Sequence, residues 1–198
     1  PKKILIIQLA KMGDMVCTTP TFFPVKNRFP DSQLYILGDM MNRELLFGNP
    51  DVDGYLVWEK NFSQIKKAIQ REKFDVAILT GPGPEALSLL YLSGIPTIIA
   101  PILVGGSSPL RTMSYSLLSK LVLTKPHYLG EYAPREYLRL LEPLGIVSSD
   151  TRKYLAFSAG AEEKVLKFYS EKGIDVDSDF IVGIFPSTGN RIKLWGRD

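Results

Sequence analysis

At 198 residues the chain is longer than one average domain and too short for two comfortable ones, which leaves one domain with an overhang. Its 45% apolar and 23% charged residues are the make-up of a folded chain with a real core, and a net charge of only +3 gives no reason to expect a nucleic-acid partner. The single cysteine, Cys17, and single histidine, His127, exclude an internal disulfide and the usual Cys/His zinc sites, and no run of roughly 18 apolar residues is present to cross a bilayer.

In chain order, the first predicted element is Lys3–Leu9, a continuous run of aliphatic residues, as expected for a strand covered on both faces of a parallel sheet. The apolar stretch before Lys11 is too short for a signal peptide, so the expected location is cytosolic or peripheral to a membrane. Further strands are predicted at Gln33–Leu37, Gly54–Val57, Asp75–Leu79, Thr97–Ala100 and Phe180–Phe185. Helical spacing between them gives Phe62–Arg71, then Pro134–Leu144 with Tyr137, Leu138, Leu140, Leu141 and Leu144 on one face and Gly145 as the stop. Ser158–Lys172 follows, with Ser158 as N-cap, an apolar stripe of Ala161, Val165, Leu166, Phe168 and Tyr169, and Gly173 closing it. Strands alternating with helices, and no internal repeat, define an α/β chain: a Rossmann-like parallel sheet flanked by helices. After Phe185 the sequence turns into what reads as the beginning of a new unit.

Ligands of such sheets bind beyond the carboxyl ends of the strands, which singles out the loop Ala10-Lys11-Met12-Gly13-Asp14. From position alone, Asp14 is equally well a catalytic carboxylate or an N-cap for the next helix. The loop holds one glycine, so it is not a dinucleotide fingerprint, and no P-loop pattern occurs in the chain. In Gly81-Pro-Gly-Pro-Glu-Ala86 the prolines remove the N–H donors a phosphate cradle needs, and a strand-to-helix turn with Pro84 in the first helical turn fits better. His127 has no Gly-x-Ser-x-Gly elbow to serve as a triad base. Cys17, expected near the start of the first helix, reads as packing, with reactivity left open. Asp51-Val-Asp53 follows Asn-Pro in a turn and does not form a metal-binding pair in a suitable loop. From Ala86 to Gly130 there is no Asp or Glu, while Arg111, Lys120 and Lys125 are present, so this stretch either faces an anion or is a solvated face. Ser187, Thr188, Gly189 and Lys193, straight after the last predicted strand, suit either a phosphate group or an ordinary surface turn.

Ile4–Pro20, with its Met-Gly-Asp and Thr-Thr-Pro elements, followed by Arg28-Phe-Pro-Asp31 and Gly48-Asn-Pro-Asp-Val-Asp53, closely resembles glycosyltransferase family nine, the ADP-heptose lipopolysaccharide heptosyltransferases. Tyr137–Gly145 is similar to the last helix of that family's N-terminal domain. Pro186–Trp195, with Lys193 and Trp195, is similar to the opening of its C-terminal domain. Three positions depart from the pattern: Gln8 stands where many members carry a basic residue, Gly81-Pro-Gly-Pro84 replaces a more polar turn, and Gly196 follows Trp195 where proline is usual.

The resemblance implies the N-terminal domain of a GT-B glycosyltransferase, with residues 1–176 forming the acceptor-binding domain plus a linking helix and residues 177–198 beginning a truncated nucleotide-sugar domain. It implies inverting transfer of heptose or a related sugar from an ADP-sugar to a lipopolysaccharide inner-core hydroxyl in bacteria. Asp14 would be the base, Lys193 with Ser187 and Thr188 would face the departing diphosphate, and Lys11, Gly13 and Arg111 would contact the anionic acceptor. No metal and no cofactor beyond the donor is implied. The enzyme would be cytoplasmic with peripheral contact to the inner membrane, and this chain by itself should not catalyse transfer. The competing reading is a non-catalytic Rossmann-like nucleotide-binding or regulatory module in which Asp14 only caps a helix.

Overall fold

The computed structural model describes residues 1–59 and 61–185. Six parallel strands, β1 (Lys3–Ile7), β2 (Gln33–Gly38), β3 (Gly54–Val57), β4 (Val76–Leu79), β5 (Thr97–Val104) and β6 (Leu123–Tyr128), form one sheet in the order β3-β2-β1-β4-β5-β6. The connections are α1 (Met12–Thr18), α2 (Phe22–Arg28), α3 (Met40–Leu45), α4 (Phe62–Glu72), α5 (Pro84–Leu92) and α6 (Met113–Leu118); α7 (Ala133–Arg139) and α8 (Ala159–Glu171) follow the last strand. By its contacts the chain forms two compact units, Pro1–Ala156 and Phe157–Asp198. The helix α8, expected as a linking helix of the first domain, groups with the residues after it.

Continuous aliphatic runs build the centre of the sheet because both of its faces are covered. On one face Ile4, Ile6, Leu34, Ile36, Val76 and Ile78 pack against Met15 of α1, Phe22 and Val25 of α2 and Tyr137 and Leu138 of α7. On the other, Leu5, Ile7, Leu37, Ala77 and Leu79 pack against Ile65 and Ile69 of α4 and Leu87 and Leu90 of α5. From β1 the chain moves outward to β2 and β3, then returns through α4 to pair β4 with the opposite edge of β1. The direction of winding therefore reverses between β1 and β4, and it is at such a reversal that an α/β sheet opens a crevice at its carboxyl edge.

Three differences from the sequence reading have physical causes. The strand β6 was not expected: its sequence is only partly apolar and contains Pro126, which an edge strand tolerates because one side of its backbone needs no partner. The helix expected over Pro134–Leu144 stops at Arg139 and continues as a single 3-10 turn, Glu142–Leu144, because Pro143 has no N–H to continue the α-helical ladder; Gly145, at φ 72°, closes it. Phe180–Phe185 is not a strand. Those residues have no pairing partner among the described residues, and Phe180 is 94% exposed.

Candidate functional site

The loop leaving β1 is held from three sides. Gln8 is buried, and its amide donates to the Thr18 hydroxyl at 3.0 Å while its carbonyl oxygen accepts from the backbone N–H of Ala10 at 3.0 Å. Thr18 in turn donates to the Asp14 carbonyl at 2.8 Å, so strand end, loop and helix form one hydrogen-bonded knot. From β2 and α3, the Asn42 amide donates to the Ala10 carbonyl at 3.0 Å, and the Asp39 carboxylate caps α3 by accepting from the Asn42 N–H at 2.7 Å. This close approach requires Gly38: a Cβ there would lie 2.3 Å from the Tyr55 hydroxyl, which itself donates to the Asp39 carbonyl at 2.7 Å.

The N-cap position of α1 belongs to Lys11, whose side chain makes no capping bond. Asp14 stands three residues further in, half-buried in the first helical turn, and among the described residues its carboxylate accepts no backbone N–H. The N-cap reading of Asp14 is therefore corrected. A carboxylate at this position gains from the helix dipole but is left available for other chemistry. Gly13, beside it, is exposed, and a Cβ there would meet nothing within 4 Å, so the glycine borders open space. Lys11 is exposed at the same turn.

Tyr137 of α7, read from sequence only as part of an apolar face, brings its hydroxyl beside the side chains of Gln8 and Asp14. Burial, and then the Asp14 charge, push its pKa up to about 12, so it is a neutral phenol at physiological pH. Lys153 also reaches this corner: its ammonium donates to the Tyr132 hydroxyl at 2.6 Å and acts electrostatically on Cys17. The backbone N–H of Tyr154 donates to the Thr19 hydroxyl at 3.0 Å, which ties this returning segment to the end of α1. No spacing in the sequence connects residues 14, 137 and 153; only the inward position of a tyrosine hydroxyl, which must find polar company when buried, hinted at Tyr137.

Cys17 lies in the last turn of α1, not near its start, so no helix N-terminus activates it. Burial pushes its thiol pKa up, Lys153 pulls it down, and the Asp14 charge adds to the rise. This supports the packing role. His127 on β6 packs against Tyr137 with ring centroids 5.9 Å apart and the rings tilted by 36°, and its buried Nδ1 has no hydrogen-bond partner among the described residues. Beside it the fully buried Glu136 accepts from the Tyr128 N–H at 2.7 Å and from Arg139 at 2.6 Å.

Of the other expected site residues, Arg111 lies beyond β5, two strands from β1 on the same carboxyl edge. Its guanidinium folds back to donate to the carbonyls of Leu103 and Gly105 at 3.0 and 2.9 Å. Arg111 thus holds its own loop together and is not gathered with Lys11, Gly13 and Asp14. Pro84 opens α5 after the turn at Gly81–Gly83, as its sequence implied. Asp53 is occupied structurally, accepting from the Leu34 N–H and from Lys26 at 2.7 and 2.9 Å. Ser187, Thr188 and Lys193 lie outside the described residues.

The fold is a Rossmann-like unit similar to those of GT-B glycosyltransferases. Several solved structures share this fold. A glycosyl transferase family 9 protein from Veillonella parvula superposes with a TM-score of 0.73 at 21% identity, over 98% of this chain and 56% of that one. Escherichia coli heptosyltransferase WaaC with ADP-2-deoxy-2-fluoro heptose matches at TM-score 0.61 and 12% identity, over 76% of this chain and 51% of that one. E. coli ADP-heptose lps heptosyltransferase II matches at 0.59 and 14%, over 88% and 51% respectively. The chain thus spans about half the length of these structures. No protein-family model matches the chain, and no curated protein does. The resemblance read from the sequence is borne out at the level of the fold.

Proposed function

We propose that this chain is the acceptor-binding part of an inverting glycosyltransferase that moves heptose, or a related sugar, from an ADP-sugar to a hydroxyl of the lipopolysaccharide inner core. One observation carries the reading: Asp14 stands at the winding reversal of the sheet, with a carboxylate that caps no helix and is held beside Tyr137 and a bare Gly13. An acceptor hydroxyl placed there attacks the anomeric carbon of the donor. The new C–O bond forms as the bond to the diphosphate breaks, ADP departs from the opposite face with the electron pair, and Asp14 takes the hydroxyl proton. General-base assistance of this kind contributes about 10²–10⁴-fold.

Tyr137, kept neutral, steadies the carboxylate without competing for the proton. Lys11 and Lys153 put cations near an anionic acceptor, and Arg111 extends the same edge. Lys193 with Ser187 and Thr188 is assigned to the leaving diphosphate, whose remaining contacts belong to a nucleotide-sugar domain, with residues 1–176 on the acceptor side. A lipopolysaccharide acceptor makes the enzyme peripheral to the cytoplasmic face of the inner membrane.

The test is Asp14→Asn in the complete protein. The expected result is a thermal midpoint and donor affinity close to those of wild type, with kcat lower by about 10²-fold or more, because Asn keeps the shape but cannot accept the proton. A variant that melts like wild type and turns over within a few-fold of it would remove Asp14 as the base.

A further inference from the structure

The acid-free stretch of the sequence folds into a distinct face. Helix α6 is pinned to the sheet by Tyr115, which is buried and donates from its hydroxyl to the Pro101 carbonyl at 2.7 Å, and the helix is capped by Thr112. That anchorage turns Met113, Leu117 and, one turn on, Leu121 outward at i, i+4 spacing, and they are 81%, 58% and 55% exposed. Leu110 and Ile102 extend the stripe at the carboxyl edge, where with Met113 and Leu117 they border a cavity of about 460 Å³. Leu123 extends it at the opposite edge, where Lys120 and Leu121 line a second hollow. A row of large apolar side chains running the height of the sheet is more than the scattered exposure of an ordinary surface.

Charge identifies what covers it. From Ala86 to Gly130 there is no carboxylate, and Lys120 stands exposed within the row. Another exposed apolar group, Met40, Met41 and Phe47, is interleaved with Asp39 and Glu44, whose charges oppose an anionic surface. We infer that the Leu110–Leu123 face is a membrane-docking surface, its apolar row entering the interface of an anionic phospholipid bilayer while Lys120 reaches up to the headgroups. Because the row begins at the same sheet edge as the Asp14 loop, docking keeps that edge beside the bilayer. The assignment rests on the reading that the acceptor is a membrane-borne glycolipid, and it gives that reading a physical surface.

The experiment is flotation of the 198-residue chain with vesicles of phosphatidylglycerol in phosphatidylcholine, against pure phosphatidylcholine. Wild type should float with the anionic vesicles at least fivefold more than with the zwitterionic ones. Met113→Ser/Leu117→Ser/Leu121→Ser should lose that binding with an unchanged thermal midpoint, and Lys120→Glu should reduce it several-fold. The inference is overturned if wild type fails to float, floats equally with both lipids, or floats as well after the triple substitution. It is also overturned if light scattering shows a dimer that the triple variant loses, since the face would then join two copies. Transfer by the complete protein to a delipidated, water-soluble core oligosaccharide separates the two readings. Activity there without vesicle binding sinks the docking face alone, and vesicle binding without activity sinks the transferase alone.

Discussion

In α7 and the residue pair after it, Tyr137, Leu138, Leu140 and Leu141 are buried between β6 and α1, whereas in α8 the equivalent stripe of Val165, Leu166 and Phe168 is about half exposed. Both helices begin at an extended N-cap residue and both carry apolar residues at helical spacing. Periodicity therefore states that a face is suited to burial, and says nothing of whether the same chain supplies the cover. In α7 the cover is the sheet face under α1. Within the unit of α8 the residues that follow, Phe180–Phe185, are apolar as well but build no strand for it to lie on.

The contrast can be broken by substitution. The largest effect is expected at Leu141, fully buried in the α7 cluster: Leu141→Ala should destabilise the chain by about 2–5 kcal/mol, read from denaturant unfolding at unchanged m-value. A loss below about 1 kcal/mol would mean that the α7 face is not the core it is taken to be.

A smaller, pH-dependent effect comes from His127, which faces Tyr137 of α7 and lies near Glu136 and Arg139. Burial holds its pKa below the ordinary value of 6.5; Glu136 opposes that shift and Arg139 adds to it. The unfolded chain therefore binds this proton more tightly than the folded one. Stability is full above pH 6.5 and declines as pH falls through that value towards the lower folded one. Thermal midpoints measured from pH 7.5 down to about 5.5 should show the decline in wild type, and His127→Asn should flatten it. An equal slope in both proteins would assign the effect to another group.

The smallest effect belongs to α8. Leu166 is 47% exposed, so Leu166→Ser in this chain should change stability by no more than about 0.5 kcal/mol. A cost like that of Leu141→Ala would show that the α8 stripe is covered in solution, and the difference between the two helices would vanish.

Legibility differed by element for the same reason. The strands β1, β2, β4 and β5 were readable because aliphatic runs covered on both faces leave no ambiguity of period, and the edge strand β3, Gly54–Val57, matches to the residue because its own short run is apolar. The strand β6, at the other edge, was not, because its sequence Leu123–Tyr128 is partly polar and contains Pro126, which an edge position tolerates. At the site, Lys11, Gly13 and Asp14 were legible as neighbours since one loop carries them, while the N-cap position proved to belong to Lys11. Tyr137, Lys153 and Asn42 were not legible as partners of that loop, because they come from α7, the returning segment and α3.

By itself the sequence determined the class of sheet, the loop where chemistry is expected and the acid-free stretch, since each follows from local composition and period. Tertiary structure alone decided that the cap of α1 is Lys11 and that a neutral tyrosine stands beside Asp14. It also decided that Arg111 is bound to its own loop, and that the acid-free stretch presents an apolar row instead of a cationic one. These depend on strand order and on which helix covers which face, and a linear pattern does not contain that information: strand order is settled only when the chain winds outward from β1 and returns to its other edge.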